Sequence, residues 1–310
     1  RHPYPTIDTL PTMPRIIEYR IPFPCTCEEY KLGQIYMVAK LCSEMTDPKD
    51  GAGVESIKNE PCTLPKYGEG MYTKKFYHFR SRLPGYVRAV TPKSATFMQE
   101  EAWNCFPYAK TVINHPSFTK FGIEIITLHA PAKRASDGKI IFEENIHKLG
   151  DKELKKRKVK DIDIGDNSDV PKDKYDKATD PAEFRSEKAN KGPLKAGWQQ
   201  KEETVMVAYK LVTISCGYFG ITDLVEGYLE NYEYGLFKNS HRSFFCWMDS
   251  WWGLTSVEIR AFEERVNKEM TERMQTAKNA GPVGEKAIGD AIKGSSVDDM
   301  ATSSRDLLPS

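Results

Sequence analysis

Apolar and polar residues alternate in short runs through the N-terminal part of the chain, and the spacing widens towards its C-terminal end. Period-two alternation puts successive side chains on opposite faces. It predicts strands over 15–22, 54–60, 71–79, 95–100, 108–114 and 122–129, and a clearer one over 205–216. Thr26 and Glu29 form a capping box that opens a helix running to about residue 45. A weaker helical run covers 84–90, and helical periodicity returns at 221–230, 241–251 and 256–277. Residues 130–175 are polar, and 180–197 read as a long irregular connection. Strands dominate early and long helices close the chain. That order predicts an α+β architecture rather than alternating β-α-β units.

Several polar residues fall on faces that are otherwise apolar. Lys210 shares a strand face with Met206, Ala208, Val212 and Ile214, Thr127 with Ile123 and Ile125, and Thr111 with Ala109 and Ile113. Thr73 and Lys75 share a face of the 71–79 strand, and Gln34 sits beside Tyr30, Met37, Val38 and Leu41 in the first helix. Glu263 falls inside the helical stripe Ile259, Phe262, Val266, Met270 and Met274. A carboxylate or ammonium in such a place either meets a partner or reaches solvent at the edge of its element. Around Asn104, the run Trp103-Asn104-Cys105-Phe106-Pro107-Tyr108 carries more aromatic bulk than a surface turn needs. An apolar cavity with a few convergent polar groups is the usual form of a ligand site. Ammonium groups, neutral donors and one carboxylate together suit a phosphate carried next to hydroxyls.

Charge narrows the choice. Lys and Arg number 45 against 44 Asp and Glu, a net charge of +1, so there is no whole-protein field to collect nucleic acid. The basic run 152–160 reads as a solvated face, with attraction to anionic lipid as the alternative. The 7 cysteines include no Cys-x-x-Cys pair, and no histidine pair has ligand spacing, which predicts free thiols and no metal site. No apolar run approaches the ~18 residues of a membrane span, and nucleotide-binding glycine motifs are missing. An enzyme reading would need Cys105 as nucleophile with His78 or His115, without the glycine pair of an oxyanion site. Residues 1–12 read as a leader or cloning remnant, 13–278 as one domain and 279–310 as a disordered tail. Ser186 with Lys188 reads as a kinase site in an exposed loop.

Nine motifs follow one another in a specific order. They are Ile17-Glu18-Tyr19-Arg20-Ile21-Pro22, Glu29-Tyr30-x-x-Gly33-Gln34-x-Tyr36, Asn59-Glu60-Pro61, Tyr72-Thr73-x-Lys75-x-Tyr77-His78 and Trp103-Asn104-x-x-Pro107-Tyr108. Then come Asp180-Pro181-x-x-Phe184-x-Ser186, Lys191-Gly192-Pro193-Leu194-x-x-x-Trp198, Ala208-Tyr209-Lys210-Leu211 and Phe245-Cys246-Trp247. In these, from residue 15 to about 274, the chain resembles the phosphatidylinositol transfer proteins, START-like helix-grip lipid carriers.

The resemblance implies a long curved antiparallel β-sheet wrapped around a lipid cavity and closed by helices. It implies one bound phospholipid, phosphatidylinositol exchangeable with phosphatidylcholine, carried between membranes without chemistry and without a cofactor. The carrier would be a monomer, cytoplasmic and peripheral at membranes, with no nucleic-acid partner. By the same resemblance Thr73, Lys75, Asn104 and Glu263 contact the inositol ring, and Gln34, Thr111, Thr127 and Lys210 the lipid phosphate. Tyr218 and Phe219 would dock on the membrane surface. A lipid-sensing module that binds a phosphoinositide precursor or phosphatidic acid without bulk transfer is the alternative. The chain also departs from the family pattern. Tyr218-Phe219 stands where a Trp-Trp pair is frequent, Ala109 where animal members carry a reactive cysteine, and Lys74 where histidine is usual. Trp247, Trp251 and Trp252 either support docking or pack in the core.

Overall fold

The computed structural model describes residues 14–47, 52–78, 97–218 and 222–279. Strand β1 (Arg15–Phe23) leads into helix α1 (Cys27–Met45). A meander follows: β2 (Gly53–Leu64), β3 (Gly68–His78), β4 (Phe97–Cys105), β5 (Tyr108–Asn114) and β6 (Phe121–Pro131). A long excursion holds the small pair β7 (Lys133–Arg134) and β8 (Ile140–Ile141), then α2 (Asp151–Lys156), β9 (Lys158–Asp161) and α3 (Trp198–Lys201). The chain closes with β10 (Met206–Cys216), α4 (Thr222–Cys246), α5 (Met248–Trp251) and α6 (Ser256–Asn279).

Eight strands form one open sheet in the order β2-β3-β4-β5-β6-β10-β1-β9. Each neighbouring pair is antiparallel except β9, which runs parallel to β1. The architecture is the α+β arrangement expected of a START-like fold, with the sheet left open rather than closed into a barrel. Pro61 lies inside β2, which therefore runs past the expected end at residue 60. Its missing N–H is tolerated because β2 is an edge strand.

Helix α1 begins as its sequence directs. The Thr26 hydroxyl accepts the Glu29 N–H at 3.1 Å, and the Glu29 carboxylate accepts the Thr26 N–H at 2.7 Å. The C-terminal helices differ from expectation, because one continuous helix, α4, replaces the two expected over 221–230 and 241–251. Its middle contains Asn231, Gly235 and several aromatics, poor helix formers that break the periodic signal. Burial of Glu233, Phe237, Lys238 and Ser240 overrides that local preference. The weak helix at 84–90 and the terminal segments 1–12 and 280–310 lie outside the described residues.

The core sits between the sheet and helices α1 and α4. Tyr19 of β1 meets Phe237 edge-on at 5.2 Å, and Phe23 stacks on Phe244 at 4.7 Å. On the opposite face of β1, fully buried Glu18 accepts from Arg20 and from Arg157, each at 2.7 Å. Arg157 also reaches Glu144 at 2.7 Å, so this network ties the excursion to the sheet. The basic run is thus partly neutralised from within, since Lys158 and Lys160 both pair with Glu230 of α4.

Candidate functional site

Residues paired directly across a sheet share a face, so the strand register converts the sequence-level faces into rows. One row reads Tyr19, Lys210, Thr127, Ala109, Asn104, Met71. Two residues along each strand, the next reads Ile17, Val212, Ile125, Thr111, Ala102, Thr73. A third runs through Ile214, Ile123, Ile113, Glu100 and Lys75. Six of the eight head-group candidates therefore occupy three adjacent rows on a single face. They also segregate: Thr111, Thr127 and Lys210 stand on β5, β6 and β10, whereas Thr73, Lys75 and Asn104 stand on β3 and β4. Three strand spacings, about 14 Å, separate Lys210 from Asn104.

The remaining two candidates come from helices over this face. Gln34 of α1 is buried and lines a pocket of about 600 Å³ together with Asn104, Met71, Phe106, Lys31 and Arg260. That volume is typical of a small-ligand site. The Asn104 Oδ1 is buried and accepts no hydrogen bond among the described residues. Glu263 of α6 is half-buried, and its carboxylate accepts from Arg260 at 2.7 Å. Of the stripe that nominated it, Ile259, Val266, Met270 and Met274 are buried.

The two lysines are held differently. Lys75 is buried and donates to the Cys42 sulfur at 3.7 Å. Burial opposes its charge, but the Cys42 thiol and the Glu100 and Glu263 carboxylates outweigh it and hold its pKa above the ordinary value. The Lys210 ammonium lies 5.0 Å over the Phe237 ring. Burial pushes its pKa down to about 8, only partly opposed by Glu233. Glu233 was not among the sequence candidates. It is buried, its Oε2 is unpartnered among the described residues, and burial raises its pKa to about 7.

His129 and His241 were also missed, although His129 lies two residues from Thr127 and hence on the same face. Burial, then Lys210, lowers each pKa to about 3, so both rings are neutral. His241 Nδ1–H donates to the Phe237 carbonyl and Nε2 accepts the Tyr30 hydroxyl, both at 2.8 Å.

The aromatic turn divides between the two faces. Phe106 faces the core and stacks on His129 at 4.8 Å. Trp103 lies on the other face, clustered with Leu64, Cys105 and Val112. Cys105 places its sulfur 3.8 Å from that of Cys62. His78 pairs with Phe97, eight residues along β4 from Cys105 and about 27 Å away at 3.4 Å per residue. His115 follows Asn114, whose partner Gln99 is six residues from Cys105, so neither histidine serves that thiol as a base. Lys74 faces away from Thr73 and Lys75, as alternation requires, and its ammonium lies 3.9 Å from Glu101.

One surface expectation is corrected, and of the two readings left open for the tryptophans Trp251 takes the core one. Ser186 is fully buried rather than in an exposed loop, and its hydroxyl donates to Asp249 at 2.5 Å. Trp251 is a core residue, 2% exposed, with its ring N–H donating to the Phe244 carbonyl. Trp247 is partly buried against the same core, under the Lys40 ammonium. Tyr218 is half-buried, edge-on to Phe118 at 6.3 Å, and Phe219 lies outside the described residues. Among the described residues no group of three or more metal-ligating side chains assembles, and no helix is long and apolar enough to cross a membrane.

An open sheet whose helix-covered face sets hydroxyl, amide and charged side chains, Glu100 and His129 among them, in an apolar surround has the make-up of a site for an amphipathic ligand. Sequence comparison makes the class specific. The family described as phosphatidylinositol transfer protein matches residues 14–268, and the chain belongs to that family. It is 42% identical over 262 residues to phosphatidylinositol transfer protein 1 of Dictyostelium discoideum, covering 84% of this chain and 96% of that one. It is 37% identical over 262 residues to the human phosphatidylinositol transfer protein beta isoform, covering 82% and 93%. To the cytoplasmic phosphatidylinositol transfer protein 1 of Drosophila melanogaster it is 35% identical over 259 residues, covering 84% and 91%.

Proposed function

We propose that this protein binds a single phospholipid against the helix-covered face of its sheet and transfers it between membranes. The cargo is phosphatidylinositol, exchangeable with phosphatidylcholine, and no chemistry is done on it. The observation that carries this reading is the separation of the two sets by strand, one on β5, β6 and β10 and the other on β3 and β4. Lys210, Thr127 and Thr111 make a cationic and hydroxyl-bearing set suited to a phosphodiester, and Gln34, which lines the pocket beside Asn104, adds an amide between the two sets. Thr73, Lys75 and Asn104, with Glu263 above them, make a donor and acceptor set suited to ring hydroxyls. Phosphatidylcholine uses the first set alone. The family to which the chain belongs and the names of its relatives support phosphatidylinositol as the cargo. The carrier works as a cytoplasmic monomer that touches membranes transiently through Tyr218 and Phe219.

The test is lipid-resolved. Protein isolated from cells carries both lipids by mass spectrometry. Thr73→Asp and Lys75→Ala each lose phosphatidylinositol transfer between labelled vesicles and keep phosphatidylcholine transfer. Loss of both activities, or of neither, would overturn the division of roles. Lipid binding without any vesicle-to-vesicle transfer would point to a sensing module.

A further inference from the structure

Arg260 is absent from both polar sets, yet it lines the same pocket as Gln34 and Asn104. Its Nη1 donates to Glu263 Oε2 at 2.7 Å, one helical turn away on α6. The charges that raise the Lys75 pKa are the Cys42 thiol, its cross-strand neighbour Glu100 and, after them, Glu263. The Lys75 ammonium donates to the Cys42 sulfur at 3.7 Å, and a thiol sulfur is a weak acceptor. A carboxylate is a much stronger partner for a buried ammonium. Released from Arg260, the Glu263 carboxylate would have Lys75 as its next cationic partner, where the ring is proposed to sit.

We propose that Arg260 is a positioning residue for Glu263: it holds the carboxylate on the helix side of the cavity and keeps the ring subsite open. This rests on the proposed ring role of Glu263. Arg260 binds the carboxylate through a single N–H to one oxygen, which leaves acceptor positions on the carboxylate for ring hydroxyls. Its partly exposed position makes the pair weak enough to adjust as the ring enters or leaves. The other charged groups that bear on Lys75 are Cys42 and Glu100, neither of which lies on α6.

The experiment compares Arg260→Met, Arg260→Lys, Glu263→Gln and the double variant Arg260→Met/Glu263→Gln, each as the full chain with its cargo. Phosphatidylinositol and phosphatidylcholine transfer are measured separately, with co-purified lipid quantified by mass spectrometry. Arg260→Met is expected to lower phosphatidylinositol transfer by about threefold to tenfold relative to phosphatidylcholine transfer. Arg260→Lys retains most of the selectivity, and the double variant is no worse than Glu263→Gln alone, because both act through one carboxylate. Equal loss of both lipids in Arg260→Met, or additive losses in the double variant, overturns the positioning role while Glu263→Gln remains selective. If Glu263→Gln is itself unselective, the ring role of Glu263 falls and the proposal falls with it.

Discussion

Replacing Lys210 by methionine separates function from stability, because the two should move in opposite directions. The ammonium is enclosed under α4, and among the described residues it has no hydrogen bond or ion pair, only the Phe237 ring and the more distant field of Glu233. Its pKa falls from the ordinary 10.5 to about 8. At 1.36 kcal/mol per pH unit, keeping it charged costs the empty fold about 3 kcal/mol at neutral pH. Methionine fills similar space without that cost. Glu233, already raised to about 7 by burial, then protonates, so no lone buried carboxylate charge is left behind. Cargo-free Lys210→Met should therefore melt roughly 5–10 °C higher than the parent. The advantage should shrink as pH rises through about 8, because the folded parent then sheds the proton that the unfolded chain keeps to 10.5. Lipid retention should fall about thirtyfold or more for both lipids, since the charge partner proposed for the phosphate is gone. The assays are thermal denaturation of delipidated protein at two pH values and lipid occupancy after incubation with mixed vesicles. A variant that is destabilised, or that loses phosphatidylinositol alone, would refute the reasoning.

Two further substitutions test the scaffold. Arg157→Met removes one of the two cations on fully buried Glu18 and should destabilise by about 3 kcal/mol or more, measured by denaturant unfolding. Gly33→Ala would put a methyl group 2.7 Å from the Phe244 ring and 2.8 Å from the Trp251 ring, both buried in the core. The clash outweighs the better helix propensity of alanine, and a net loss of about 1–2 kcal/mol is expected in the same assay.

Much of the sheet was legible because alternation is a local property. Thr73, Lys75, Thr111, Thr127 and Lys210 each stood out against apolar neighbours one pleat away, and the register aligns those faces. The capping box at Thr26 and the stripe on α6 were legible for the same reason. Glu233 was not, because it sits where Asn231 and Gly235 interrupt the helical signal. Only packing of α4 against β1 and β10 makes that stretch a helix and turns Glu233 inward. Strand β9 was hidden by its lysines, which read as a solvated run. Their partner Glu230 is some seventy residues away in sequence, and no local pattern encodes that pairing.

The same geometry explains why such a carrier should exchange cargo rather than release it. The helix-covered side of the sheet holds a Lys210 whose charge burial opposes, an unpartnered Glu233 oxygen and an unpartnered Asn104 oxygen among the described residues. Each buried polar group left unsatisfied costs about 1–3 kcal/mol. On the proposed reading, a phosphodiester supplies the missing anion for Lys210 and a ring hydroxyl the missing donor for Asn104. Acyl chains add ~0.8 kcal/mol for each buried CH₂. The empty protein is thus the least stable member of the cycle, and one lipid should enter as another leaves. Retention and selectivity then sit on different strands. On the proposed reading, any phosphodiester meets Lys210 and Thr127 on β10 and β6, whereas only a hydroxylated ring reaches β3 and β4. Substitutions on β3 and β4 can therefore change which lipid is carried while leaving intact the contacts that keep a lipid bound.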